Sequence, residues 1–477
     1  MSRNLVSLPT LSVGSADGLT RRISGAVYLD EHLTRTIVSL YAEDGLSTSG
    51  PAPGVNVTAV ARHACRAERW TALYERMMSL LMVGIVLAAC GALGSLVAGA
   101  KGMAGVLMAA FAAQLVAAWA LTLHARLRAV RAAQLVLWET AAPKSLAPAL
   151  PPEIEAWLDS LNRSNVVVYA TGNHPFVGSG ECVSQSVWPP IDISQPARSV
   201  SGQTLPILPF DVVDLHAYMA RRLSVAGLRA MNRLYVRGDS TELLGAELLP
   251  DRLRRPKTQI PKAQVNAGLA RPAAGMRTYL CLEMAGLDNR IVVSMFLHAR
   301  LADHRLEWEV HTYLLPPLQD RMYQVDRLPI TGYARLRNAA AHAARRVWPG
   351  LLQAPGRTFT RRRDRVRRGR ELQRARRNIR KRHVRYDYGA RGSLRELLSS
   401  DIGAMSDTDR TEAAEIMRHL QAGILTVTKA FLRERNVDVG DFAEPLPIVV
   451  DQVVDDLRLR YTQAAMSEHH GSAINDT

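Results

Sequence analysis

Two runs without a single charged residue, Met77–Ala100 and Met103–Leu123, constrain this chain more than any other feature. They hold 24 and 21 residues and are parted by Lys101-Gly102 alone. As helices rising 1.5 Å per residue they would reach about 36 and 32 Å, against about 30 Å for the hydrocarbon core of a bilayer. Buried helices of soluble proteins seldom run past twenty residues without a polar face, so the pair reads as a transmembrane hairpin. The 76 residues ahead of it argue against a cleaved signal peptide.

Basic residues flank the pair on both outer sides: Arg62, Arg66, Arg69 and Arg76 before it, Arg126, Arg128 and Arg131 after it. The turn between has only Lys101. The positive-inside rule then predicts a multi-pass protein of the cell (inner) membrane with both termini in the cytoplasm. Small residues at four-residue spacing (Gly84/Ala88, Gly91/Ser95, Gly94/Ala98, Ala109/Ala113/Ala117) suit close packing of the two helices in lipid, and a homo-oligomer through their other faces. Neither span contains Asp, Glu, Lys or Arg, so nothing in them supports a proton relay or a charged ion path.

Val57–Arg76 and Ala125–Thr140 lack Gly and Pro and are rich in helix formers, so residues 57–142 read as the hairpin with helical extensions, closed by Pro143, Pro148, Pro151 and Pro152. Residues 1–56 read as a partly disordered cytoplasmic segment. Over residues 152–350 the pattern predicts an α+β domain with a largely antiparallel sheet. Its strands are Asn165–Thr171 and Arg277–Met284, and Arg290–Arg300 with Arg305–Leu315 around a four-residue loop, Leu301–His304. Its helices are Asp211–Ala226, with Asp211 as N-cap, and Gly332–Val347; Pro250–Gly275 reads as a surface loop. Residues 386–466 form a C-terminal helical region, with capping-box spacing at Ser393/Glu396 and helices at Ser406–Asn436 and Pro447–Met466. Residues 467–477 read as a disordered tail.

The net charge of +16 suggests nucleic acid until it is mapped. Residues 357–385 hold fourteen Arg and Lys381 against Asp364 and Glu371, a net +13, so the rest of the chain is nearly neutral. The surface-binding candidates in this segment are Arg361, Arg362, Arg363, Arg365, Arg367, Arg368, Arg370, Arg374, Arg376, Arg377, Arg380, Lys381, Arg382 and Arg385. Because the hairpin already tethers the chain, the favoured partner is the anionic inner leaflet, where each basic residue contributes about 1 kcal/mol. An acidic cytoplasmic protein is a further partner. Nucleic acid is less favoured, since only Phe359, Tyr386 and Tyr388 are near enough to stack bases.

The most distinctive short sequence is Tyr169–Gly180, YATGNHPFVGSG. A strand running into glycines can turn backbone amides toward an anion, and a ligand loop here would use Gly172, His174, Gly178, Ser179, Gly180 and Glu181. The alternative is a tightly packed structural turn. The glycine spacing fits neither a dinucleotide fingerprint nor a P-loop, and His174, Glu181, Cys182, Asp211, Asp214 and His216 form no known catalytic spacing, so no catalytic residues are assigned. Cys65, Cys90, Cys182 and Cys281 include no CxxC pair, and neither metal nor cofactor is expected.

PFVGSG, the later DYGARGSLREL (Asp387–Leu397) and the preceding hairpin together resemble a group of uncharacterised actinobacterial two-pass membrane proteins with a PFVGxG motif. The resemblance implies that Pro175–Gly180 is a family feature and carries no activity with it. The functional expectation is an integral membrane protein with a cytoplasmic interaction, scaffold or regulatory module whose basic segment docks on anionic lipid. The alternatives are a membrane-tethered sensor or enzyme using the Gly172–Gly180 loop, and a nucleic-acid binder through residues 357–385.

Overall fold

The computed structural model describes residues 17–43, 45–200, 202–224, 227–245, 247–273, 275–286, 289–381 and 385–440. Two short helices, α1 (Gly18–Ala26) and α2 (Glu31–Val38), come first, the second capped by the Asp30 carboxylate accepting from Leu33 N. Their apolar residues stand one helical turn apart, Leu19 with Ile23 and Leu33 with Ile37, and bury into one core with Val57, Val60, Ala133 and Val136. From Asp17 onward, then, the N-terminal segment is a packed part of the molecule; residues 1–16 lie outside the described residues.

The hairpin is α3 (Val57–Val97) and α4 (Lys101–Trp138), joined through Ala98–Ala100 with Gly99 at φ +74°. The apolar runs and their flanking extensions are thus continuous helices, as expected. Their most apolar 18-residue stretches have mean hydropathy 2.4 and 2.0, and only 17% and 11% of those stretches is buried within the molecule. Both are long and apolar enough to cross a membrane. Gly84 lies against Gln114 and Gly91 against Leu107, so those glycines serve the helix–helix seam. Ala109, Ala113 and Ala117 point outward.

After α5 (Pro152–Asn162) comes a seven-stranded mixed sheet in the order β1-β4-β5-β6-β7-β2, with β3 also on β7. The strands are β1 (Val166–Tyr169), β2 (Glu181–Val187), β3 (Ile191–Asp192), β4 (Leu228–Arg237), β5 (Met276–Ala285), β6 (Val292–Ala302) and β7 (Arg305–Leu315). Only β1 with β4 is parallel; the other pairs are antiparallel. The β6–β7 loop is shorter than the four residues expected: Ala302 pairs with Arg305, leaving Asp303 and His304 at φ +49° and +60°, the signs a two-residue type I′ turn needs.

Side chains alternate across the strands. Leu280, Leu282, Met295 and Leu297 face α6 (Val212–Leu223) and α12 (Asp407–Glu434), which cover one side. Asp211 caps α6 as its position predicts, accepting from Asp214 N at 2.8 Å. The other face carries Tyr235, Tyr279, Cys281, Phe296 and Tyr313. Between β4 and β5 lie α7 (Thr241–Gly245) and α8 (Lys262–Ala270); the second falls inside the stretch expected to be a plain loop and buries Val265 and Leu269. A short α9 (Asp320–Tyr323) follows the sheet.

The largest departure from expectation is α10 (Gly332–Lys381), one helix of 50 residues. The helix expected to end at Val347 runs on through residue 350. Near its start, Arg335 donates to Gln134 in the outer part of α4 (3.1 Å); its middle places Leu351 and Ala354 against Met78, Ile85 and Ala118; near its end, Ile379 joins Leu46 and Val166. Both ends thus lie on the sheet side and the middle beside the apolar stretch of the hairpin, so the helix bends. Pro349 and Pro355 supply the cause, each removing an N–H from the ladder and crowding the preceding turn. α11 (Leu394–Leu397) leads into α12. The helix expected at 447–466 and the tail at 467–477 lie outside the described residues.

Candidate functional site

The glycine loop after β1 is fastened from three directions. Phe176 stacks on Phe296 (centroids 4.1 Å apart) and meets Tyr235, Tyr279, Tyr313 and His311 within 5.3 Å, an aromatic cluster filling the open face of the sheet. His311 thus packs in the cluster and also bonds Glu309 at 2.8 Å. Val177 and Ser179 are buried as well. Gly178 and Gly180 have φ +100° and +86°, and a Cβ on either would collide with a carbonyl oxygen, that of Pro51 or of Leu314. Only glycine fits at these two positions.

The loop does turn amides toward an anion, as its composition suggests. That anion belongs to the chain itself: Oε1 of Glu396 accepts from Gly178 N at 2.6 Å and Gly180 N at 3.1 Å. Burial pushes the Glu396 carboxyl above the ordinary carboxylate range, and the amide bonds pull the other way without cancelling it. Glu396 stands in α11, N-capped by Ser393, within the DYGARGSLREL stretch. That stretch meets the loop along its length. Asp387 accepts from Thr171 N (2.8 Å), Ala390 N donates to Val168 O (2.8 Å), and Asn173 donates to Arg391 O (3.0 Å). Gly389 packs flush on the backbone of Tyr169 and Ala170. The two short motifs are one structure.

Outside this seal is a cavity of about 800 Å³. His174, Gly180 and Glu181 reach its wall from the loop, together with Glu396, Asp320, Asp401 and Asp409; Arg290 pairs with Asp409 at 3.5 Å. Gly172, also at φ +92°, is not among its lining residues. The structure therefore gathers three of the six loop candidates on one wall, buries Ser179, and commits the Gly178 amide to Glu396. Among the described residues no group of three His, Cys, Asp or Glu could hold a metal ion. His216 is buried in the core, accepting from Ala299 N at 3.2 Å, and Asp211 is a helix cap, so neither reaches this cavity.

The basic candidates from Arg361 to Lys381 lie on the second half of α10. Arg361 is not a surface contact: it is mostly buried and pairs with Glu31, Glu68 and Glu75, each at 2.5 Å. Its burial in a carboxylate cluster withdraws it from any external anion. Arg362, Arg363, Arg365, Arg367, Arg368, Arg370, Arg374, Arg376, Arg377, Arg380 and Lys381 are exposed, as is Arg385; Arg382 lies outside the described residues. Of the aromatics nearby, Phe359 is exposed, whereas Tyr388 is buried at 2% exposure against Leu46 and Val236. The ion-pair hub was hidden in the sequence, because its acids come from α2 and α3, some 290 to 330 residues upstream of Arg361.

One protein-family model, described as the AbeC-like domain, matches residues 187–454. It takes in most of the sheet, α10 and the DYGARGSLREL stretch, and begins just past the glycine loop and the hairpin. No curated protein and no solved structure matches the chain.

Proposed function

The chain belongs to the AbeC-like domain family, and on that premise we propose that it is a two-pass protein of the inner membrane whose α+β domain sits in the cytoplasm as an interaction or regulatory module. The observation that carries this is the exposure of the hairpin. Leu80, Leu87, Leu93, Val97, Val106 and Val116 are each more than half exposed on helices whose apolar stretches are scarcely buried. So large an unburied apolar surface is costly in water and favourable in a bilayer. The basic flanks orient both termini inward.

Contact with anionic lipid then belongs to the bend of α10. Trp348, Leu352 and Phe359 are exposed there beside the apolar stretch, next to Arg345, Arg346, Arg362 and Arg363. Farther on the helix runs toward Leu46 and away from the membrane. With a Debye length of about 8 Å, charges more than a turn or two past Arg363 are screened from the leaflet. Those side chains face an acidic partner in the cytoplasm. A second reading, a tethered ligand sensor, is favoured by the convergence of His174, Glu181 and Glu396 on the cavity of about 800 Å³.

Topology is tested with an alkaline phosphatase reporter inserted after Gly102 and a fluorescent protein fused after Thr477. Active phosphatase at the turn and a fluorescent C-terminus are expected. An inactive phosphatase with an intact, abundant fusion would overturn the proposal.

A further inference from the structure

Where α3, α4 and the bend of α10 meet, a cleft of about 540 Å³ opens at the border of the apolar stretch. We propose that it binds one anionic phospholipid, the phosphate held by Arg126 and Arg346 and an acyl chain lying along Leu73 and Met77. The inference rests on the membrane placement proposed above and deepens it from a general attraction to a built site.

The cleft has two chemically different ends. Leu73 and Met77, 53% and 43% exposed, form a wall continuous with the apolar surface of the hairpin. Arg126 stands three residues past Leu123, the last of the apolar run, which at 1.5 Å per residue is about 5 Å beyond it, the depth of a lipid phosphate. Two acids also line the cleft, and both are already neutralised. Glu75 is paired with Arg361 (2.5 Å) and Arg35 (3.6 Å), and Glu31 with Arg361 (2.5 Å) and Arg357 (3.5 Å). Arg128 is occupied as well, stacked on the Trp70 ring at 3.8 Å.

Two guanidinium groups remain. Arg126 Nε is buried without a hydrogen-bond partner, a costly state for a charged donor. Arg346 is exposed one turn from His342 on the same lip. A phosphate diester would accept from both, and guanidinium recognises phosphate through paired donors. A free phosphate would satisfy the arginines but leave the apolar wall in contact with water. A diacyl lipid satisfies both ends at once.

The test uses the full chain in detergent, exchanged into mixed phosphatidylglycerol and phosphatidylcholine, with retained lipid counted by native mass spectrometry. Wild type is expected to hold one phosphatidylglycerol in preference to phosphatidylcholine. Arg346→Gln, at an exposed position that does not threaten folding, should weaken retention about five- to tenfold, and Arg126→Gln/Arg346→Gln should abolish the preference. Arg126→Lys/Arg346→Lys should restore part of it. Arg374→Gln/Arg377→Gln, farther along α10, should change nothing. Equal retention of the two lipids, an equal loss in the Arg374/Arg377 variant, or displacement of lipid by millimolar inorganic phosphate would each overturn the proposal. A silent phosphatase reporter after Gly102 would instead sink the membrane placement, so the two failures are distinguishable.

Discussion

His216 shows how a residue that reads as chemistry in the sequence becomes architecture. Its Nε2 accepts from the Ala299 amide and its Nδ1 faces Asn232 Oδ1 at 3.3 Å, an arrangement that holds the imidazole neutral with its proton on Nδ1. Burial pushes its pKa down to about 3, helped by the neighbouring His298. A base depressed on folding contributes stability that is complete above its unfolded value near 6.5 and lost as pH falls toward 3. The cost is about 1.4 kcal/mol per pH unit in that window. His63, pushed down to about 4 by burial, adds a second slope of the same sign, so urea unfolding of the detergent-solubilised protein at pH 7, 6 and 5 should be at least this steep, and His216→Gln should remove about 1.4 kcal/mol per pH unit of it. A wild type and variant that lose stability in parallel would refute the assignment. At the glycine loop, Glu396→Ala leaves the Gly178 and Gly180 amides without their acceptor, at about 1–3 kcal/mol each. Gly180→Ala should cost more than this, whereas at Gly172 a Cβ meets nothing within 4 Å and Ala there costs only the backbone strain of φ +92°, about 1–2 kcal/mol. Thermal unfolding of the three variants tests that order. The need for glycine and the aim of the amides at an anion were legible in YATGNHPFVGSG. The identity of the anion was not, because Glu396 lies 218 residues beyond Gly178 and nothing local signals the pairing.

At the scale of elements, local periodicity was a good guide wherever local forces decide. The hairpin, its extensions, the capped helix α6 and the strands β1 and β5 follow from runs and caps that need no distant partner. α10 departs from its local pattern because Pro349 and Pro355 each carry a strong signal to stop, about 3 kcal/mol in a helix interior. Packing of Leu351 and Ala354 on the hairpin and the Arg361 hub hold the bent helix together across them. That hub yields a sharp expectation. Arg361→Gln removes the cation shared by Glu31, Glu68 and Glu75 and should destabilise the fold by about 3–5 kcal/mol, since breaking a buried pair strands the remaining charge. Arg374→Gln, on an exposed part of the same helix, should stay within about 0.5 kcal/mol. Equal effects in a thermal melt would show that Arg361 is no more engaged than its neighbours.

For the whole molecule, the sequence pattern divides the chain into consecutive segments, and the packing ties several of them into one body. Residues 187–454, the part matched by the AbeC-like domain, do not contain β1 or the Phe176 loop that closes the open face of the sheet. The N-terminal segment is tied in as well: Thr48 N donates to Tyr388 O and Gly50 N to Gly392 O, each at 3.0 Å, while Gly178 presses on Pro51. Leu158, Leu161, Leu318, Met322, Val325, Leu394 and Leu398 share their core with α1, α2 and the sheet-side parts of α3 and α4. At about 1.5–3 kcal/mol per buried side chain, exposing these seven would cost about 10–20 kcal/mol. Even half of that rivals the whole stability of an ordinary domain, about 5–15 kcal/mol. A fragment spanning residues 152–477 should therefore aggregate or exchange its sheet amides within minutes, whereas the full chain in detergent protects β5 and β6 for hours. Slow exchange of those strands in the fragment, matching the full chain, would show that the sheet domain stands alone and that the hairpin and N-terminal helices are only attached to it.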